Sequence, residues 1–418
     1  MIIGAKIRQH ERKIDRCFFA VLLLAYSVLL FVLFYRQAIE YKGAYTSDMK
    51  AYILETQGLE SGYEFPYRFF FWLSRIWMIA VTPEAAVAVS TMLLNSLSVV
   101  LLKFYFDRNL REYARRQMVQ WNLLWDGAVN FLVFALFFVS MYYGPRGEKI
   151  FGYDYIYRCN GILTPNPYWN ATYLAVRPFT ILCFYLTAEL LEEYERQIPV
   201  KKAFLLTLSG CLAAFTKPSF HFLLLPVAGL VLLYRLLRSR FANWKNTLLM
   251  GCCFLPSGFL LIYEFFGVFT GENALGQETG IGIELGKAWY IHSNRISLSV
   301  MLALLFPFCV LALNFRELKH NGAFRLAWQL LAVGFISFLF LYEKGFRLEH
   351  LNFSWGYMHG LFFVYVICGF QMLKNLMGWK PWIYQVFVIP EFYLFWQHLR
   401  CGMEFFLYLY QGYNAGVF

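Results

Sequence analysis

Residues 17–35 read CFFAVLLLAYSVLLFVLFY, an uncharged run that begins directly after Arg16 and ends directly before Arg36. At about 1.5 Å of rise per residue, a helix of this length covers roughly the 30 Å of a bilayer's hydrocarbon core. No small-residue cleavage site follows the run, and apolar blocks continue to the end of the chain. It therefore reads as a retained first transmembrane helix and not as a signal peptide. That reading decides the class of the protein.

Working outward, ten more blocks of the same kind follow: Ala85 to Leu102, Gly127 to Tyr143, roughly Asn170 to Leu190, Ala203 to Thr216, Pro218 to Tyr234, Asn246 to Phe266, Ile296 to Phe315, Leu326 to Tyr342, Asn352 to Leu373, and Pro381 to Leu399. Composition agrees, with 59% hydrophobic and only 15% charged residues, where a soluble domain carries about 25%. The expected fold is all-α and polytopic, with about eleven transmembrane helices in a single domain spanning residues 1–418. Pro66 to Val81 is short and carries Arg68 and Arg75, which suits a helix lying at the membrane interface. Ala203 to Thr216 and the block after it meet at Lys217-Pro218, where a proline breaks the helix into a tight hairpin.

Charge placement gives an orientation. With the N-terminus in the cytoplasm, the inner loops carry Lys6, Arg8, Arg12, Lys13 and Arg16, then Lys103, Arg108, Arg111, Arg115 and Arg116, then Arg196, Lys201 and Lys202. Arg235, Arg238, Arg240, Lys245, Arg316, Lys319, Arg325, Lys374 and Lys380 complete the set, more than half of the 37 Lys and Arg residues. Short basic inner loops are what the positive-inside rule requires, and they account for the net charge of +11 without a nucleic-acid partner. The long loops then fall outside: Arg36 to Glu84, Gly144 to Trp169, Gly267 to Arg295, and Glu343 to Leu351. Recognition or chemistry is expected on that face. No soluble domain and no internal repeat of the kind found in many secondary transporters stand out. Nine cysteines offer no CxxC spacing, and no HExxH is present, so no metal-ligating residues are assigned. Only Cys159 and Cys401 are placed to pair outside.

Asp48, in Tyr45-Thr46-Ser47-Asp48-Met49-Lys50, lies in the first external loop, residues 36–84. The ordinary reading is a helix N-cap, with a short helix ending near Gly58. The chemical reading is a general base or metal ligand at the membrane surface. A first helix, an external Ser-Asp, a nearby Tyr52 and then an interfacial helix resemble the GT-C class of membrane glycosyltransferases. That resemblance implies transfer of a sugar from a polyprenyl-phosphate carrier at the outer face, with the loop acid activating the acceptor or helping to hold a metal. A divalent metal is the one cofactor it allows. This chain has no second acid directly beside Asp48; Glu55 and Glu64 are the nearest.

A phosphate leaving group needs cations. Arg177 follows a stretch rich in Asn, Pro, Tyr and Trp, Thr164 to Tyr173, whose Asn170 is suited to hydroxyl-rich ligands; a snorkelling Arg is the alternative. Lys217 stands at the hairpin tip with His221 four residues on, where an interfacial anchor is the plain reading. The segment Glu343 to Tyr357 supplies Arg347 as a phosphate contact and His350 as a second acid or base, with Asn352 and Trp355 carrying its polar face into the next helix. A solvated charge run is the rival there. The function expected is a membrane glycosyltransferase whose partners are a lipid-linked sugar donor, a glycan or glycolipid acceptor and membrane lipids. Two alternatives stay open: a surface-polysaccharide polymerase using external Arg residues, and a lipid-linked oligosaccharide transporter or flippase. The second would want ionisable residues deep in the membrane, for which Glu264 and Glu391 are the candidates.

Overall fold

The computed structural model describes residues 2–40, 47–63, 65–143, 163–269, 280–293, 295–377 and 382–414. The protein is all-α apart from one short antiparallel pair among these residues. In order, the helices are α1 (Ile2–Ile39), α2 (Met49–Gln57), α3 (Phe69–Trp77), α4 (Pro83–Arg116), α5 (Leu123–Leu136), α6 (Ala171–Glu193), α7 (Val200–Thr216), α8 (His221–Arg238), α9 (Trp244–Cys252) and α10 (Leu255–Phe269). They continue with α11 (Lys287–Tyr290), α12 (Ile296–Leu318), α13 (Gly322–Phe340), α14 (Ser354–Met377) and α15 (Trp382–Tyr410). Strands β1 (Ile281–Ile283) and β2 (Leu341–Glu343) pair with Gly282 opposite Tyr342.

Seven helical segments among the described residues are long and apolar enough to cross a membrane, or eight if α9 and α10, bent by 46° at their junction, form one span. The other three expected spans are helical too, but differ in kind. α7 is short at 17 residues. α15 is long but carries Glu391, His398, Arg400 and Glu404. α5 stops at Leu136. Beyond it the backbone leaves the helix, and Ser140 and Tyr142 donate their N–H groups to the carbonyls of His398 and Leu302, at 3.1 Å each. The expected helix through Tyr143 is thus half helix and half buried strap.

The apolar surface is turned outward as lipid requires. On α1, Phe18, Val21, Leu24 and Val28 are half or more exposed, while Leu30, Leu33 and Phe34 are buried. Helix association in lipid relies on close packing rather than on hydrophobic expulsion, and α13 against α14 shows it. A Cβ on Gly334 would lie 2.8 Å from the Tyr357 Cα, and one on Gly360 would lie 2.6 Å from the Leu331 Cα. Gly360→Ala is therefore expected to lower the melting temperature of the detergent-purified protein. Overpacking of this kind costs about 1–3 kcal/mol, and backbone on the far side cannot step aside. A Gly360→Ala protein that melts with the wild type would show the two helices free to separate.

The bundle has two chemically distinct ends. At one, ion pairs join α4 to α5 through Arg111 and Asp126 (2.6 Å), α7 to α6 through Lys202 and Glu189 (3.1 Å) and α14 to α12 through Lys374 and Glu317 (2.5 Å), with Lys103 and Asp107 paired within α4 (2.7 Å). α6 reaches that end with Glu189 and begins, about five helical turns earlier at about 3.6 residues per turn, at Asn170. α7 runs back from Lys202 to Lys217. Asn170 and Lys217 are therefore brought together at the opposite end, beside α2 and α3.

Candidate active site

A cavity of about 640 Å³ opens at that end. Seven of the nine site residues expected from sequence line it: Asp48, Asn170, Lys217, Arg347, His350, Asn352 and Trp355. They come from four separate stretches of chain, so folding, not sequence proximity, makes the cluster.

Asp48 sits at the N-cap position of α2, which ends at Gly58 with its φ of 77°. Its side chain makes no capping bond; the Met49 N–H instead meets the Ser47 Oγ at 3.4 Å. The exposed carboxylate turns to the cavity, where its Oδ2 accepts from Asn170 Nδ2 at 2.7 Å and from the Tyr52 hydroxyl at 3.1 Å. Among the described residues, Oδ1 has no hydrogen-bond partner. The neighbouring acid Glu55 is bound to Arg68 and does not line the cavity. Glu64 lies outside the described residues, as does Cys159, while Cys401 is buried.

Asn170 divides its amide between two tasks. Its Oδ1 caps α6 by accepting from the Tyr173 N–H at 2.9 Å, while its Nδ2 is the donor to Asp48. The cap thus fixes the Asp48 partner in place. Lys217, in extended backbone between α7 and the Pro218–Phe220 turn, donates to Thr172 Oγ1 at 3.2 Å and to Asn170 Oδ1 at 3.5 Å. Its ammonium lies 4.9 Å from the centre of the Trp355 ring. Thr172 lies 3.1 Å from the Tyr52 hydroxyl. The Thr172 hydroxyl donates to Asn170 Oδ1 at 3.0 Å. Lys217 and Asp48 are thereby joined through the two ends of the Asn170 amide, whose Oδ1 accepts from the ammonium and whose Nδ2 donates to the carboxylate. Burial pushes the Lys217 ammonium down to about 8, against the opposing pull of Asp48.

Beside Trp355, Asn352 Nδ2 donates to Glu343 at 2.5 Å and its Oδ1 accepts from the Trp355 indole at 3.2 Å. Burial raises the Glu343 carboxyl, while Asn352 and Arg347 act to lower it. His350 and Tyr63 stand with ring centres 5.8 Å apart. Tyr67, half-buried, is raised above the usual phenol range by burial and by Asp48, Glu264 and Glu343, with Arg347 opposing. Trp169, Trp355, Tyr63 and Phe65 give the cavity aromatic lining.

Two expected residues are placed elsewhere. Arg177 is fully buried in α6 and does not reach the cavity. Its Nη2 donates to the Pro165 carbonyl at 2.5 Å, and its guanidinium lies 4.6 Å from the Phe362 ring centre and 5.3 Å from that of Tyr173. The Asn-Pro-Tyr stretch before it is a buried strap: Asn166 donates to the carbonyls of Leu136 (3.0 Å) and Val139 (2.7 Å), and the Tyr168 hydroxyl to that of Phe137. Only Trp169 and Asn170 emerge from it into the cavity. His221 is likewise fully buried, with its Nε2 turned to Gly210, and the cavity wall is taken by Pro218, Ser219 and Phe222 instead. Conversely, Tyr67, Thr172 and Glu343 belong to the site without having been singled out. Thr172 carried a readable signal, since a residue two past a helix N-cap shares its turn; Tyr67 carried none.

Among the described residues no group of three or more His, Cys, Asp or Glu side chains is placed to hold a metal ion. The chain matches no protein-family model, and no curated protein is similar to it. What the protein does is therefore read from the cavity itself.

Proposed function

We propose that this is a membrane glycosyltransferase that takes a sugar from a polyprenyl-phosphate carrier, with the cavity as its active site. The observation that supports the reading is the juxtaposition of an exposed carboxylate, Asp48, held by Asn170 and Tyr52, with two cations, Lys217 and Arg347, in a cavity lined by aromatic side chains. In this mechanism Asp48 takes the proton of an acceptor hydroxyl through Oδ1. The acceptor oxygen attacks the anomeric carbon, and the bond from that carbon to the carrier phosphate breaks with its electron pair going to the phosphate oxygen. Lys217 and Arg347 hold the phosphate as its charge grows. Asn170 and Tyr52 are positioning residues that orient the carboxylate.

The reading places the N-terminus in the cytoplasm and the cavity on the outer face of a plasma membrane. In a variant freed of native cysteines, single cysteines at Glu60 and Glu349 are expected to react with an impermeant maleimide from outside, and cysteines at Arg111 and Arg238 to be protected. The reverse pattern would put the cavity on the wrong face for an extracytoplasmic acceptor. Function is tested by giving proteoliposomes a radiolabelled polyprenyl-phosphate sugar and measuring free polyprenyl phosphate. A transferase releases the carrier when acceptor is added. A flippase moves the intact lipid-linked sugar and releases none, and that result would overturn the proposal.

A further inference from the structure

α8, α10 and β2 contribute the apolar lining residues Phe222, Leu261, Phe265 and Leu341, beside Ser337 of α13, with one acid set among them. That acid is Glu264. It is only 2% exposed, and among the described residues neither carboxyl oxygen has a hydrogen-bond partner. The contrast with the other deep acid is instructive. Glu391 accepts from Asn314 at 2.7 Å and from Asn375 at 3.0 Å and 3.1 Å, so it is fully accounted for by its own bundle.

A buried carboxyl group without a partner is destabilising whether ionised or neutral, and such groups persist where something else needs them. α10 is held close to the loop bearing Tyr67: a Cβ on Gly267 would lie 3.3 Å from the Pro66 ring. Glu264 is near enough for its charge to act on the Tyr67 hydroxyl, as do Asp48, Arg347 and Glu343. Its carboxyl thus belongs to the same enclosure as the Asp48 and Lys217 network. Among the described residues neither Lys217 nor Arg347 hydrogen-bonds to Glu264, so the group Glu264 lacks is a donor brought by the ligand.

We propose that Glu264 is a specificity-determining residue that accepts a hydrogen bond from a hydroxyl or ammonium group on the ring of the bound lipid-linked sugar. This rests on the glycosyltransferase reading. In that arrangement Lys217 and Arg347 grip the phosphate, Asp48 faces the acceptor, and Glu264 reads the donor sugar.

The test is binding to the full-length protein in nanodiscs. The probes are citronellyl phosphate and its glucosyl, galactosyl, mannosyl and glucosaminyl esters. The wild type is expected to bind at least one ester about tenfold or more tighter than the bare phosphate, the scale of a hydrogen bond to a charged group. Glu264→Leu should abolish that preference and Glu264→Gln should reduce it, with affinity for citronellyl phosphate unchanged in both. Preference for the glucosaminyl ester alone would identify the donor as an ammonium, and preference among the neutral esters would identify a hydroxyl. Because the acid has no partner in the protein, the ligand-free Leu variant should also melt above the wild type. A Leu variant that keeps the wild-type preference overturns the proposal. So does one that melts lower and loses citronellyl phosphate as well, which would make Glu264 part of the scaffold. A wild type that binds bare carrier and every ester alike also overturns it, while leaving the transferase reading standing. A wild type that binds no citronellyl compound overturns the transferase reading and this one together.

Discussion

Asp48→Asn is expected to give a protein that inserts and melts like the wild type but turns over about 10²–10⁴-fold more slowly, the usual contribution of a general base. The substitution is nearly isosteric. Its carbonyl oxygen can still accept from Asn170 and Tyr52, which now hold the carboxylate, so the positioning bonds survive while the basicity goes. Asn is also as good an N-cap as Asp. A helix-capping role would therefore leave the variant active, and the absence of a capping bond from Asp48 already argues against that role. Asp48→Glu keeps the charge and moves it by one methylene, and should fall between the two because reaction needs the base within hydrogen-bond reach of its proton. Sugar transfer measured beside the melting temperature separates the cases. An Asn variant with near-normal turnover would remove the acid from the mechanism.

The polymerase alternative makes the opposite prediction for the same variant, since it uses external Arg residues and no essential acid. Of the two cations in the cavity, only Arg347 is an Arg, and Arg177 has been withdrawn into the bundle. The geometry thus offers that alternative less than the sequence did. The transporter alternative loses Glu391 to a polar cluster with Asn314 and Asn375, leaving Glu264.

How much of this was legible in the sequence follows from what each signal depends on. Long uncharged blocks report helices directly, because a backbone in lipid must satisfy its own hydrogen bonds. They do not report whether a block is helical to its last residue. Gly127 to Tyr143 is apolar throughout, yet only its first part is helix, because the rest finds partners in His398 and Leu302 that no local pattern reveals. The site residues at helix ends were readable for a similar reason. Asp48, Asn170 and Lys217 each sit where a helix starts or stops, and a polar group there stands out. Asn and Tyr side chains look the same whether they face a ligand or strap one helix to another, so the stretch before Arg177 has the composition of a binding surface although most of it is a strap. Glu264 shows the converse. An acid inside an apolar block looks the same whether it is partnered, as Glu391 is, or faces a cavity, and only the folded neighbourhood tells them apart.

Lys217→Ala and Arg347→Ala are each expected to raise the KM for the lipid-linked donor by about 10–150-fold, the equivalent of the roughly 1.5–3 kcal/mol lost with a charge-assisted hydrogen bond. The two should fail differently when replaced conservatively. Arg347→Lys recovers only part of the loss, because a point charge cannot grip two phosphate oxygens at once. Lys217 spends two of its three N–H bonds on Thr172 and Asn170, leaving one for a ligand. It also has a pH signature. Burial lowers its ammonium to about 8, so the cation is present below that pH and is lost as pH rises through it. Donor use, measured as kcat/KM, should therefore decline above about pH 8 in the wild type, since that ratio reports the free enzyme. Lys217→Arg stays charged throughout and should abolish the decline, even if its larger head group lowers the plateau. Wild-type KM in both alanine variants would reduce the two residues to interfacial anchors. A pH profile unchanged by Lys217→Arg would assign the titrating group to another residue.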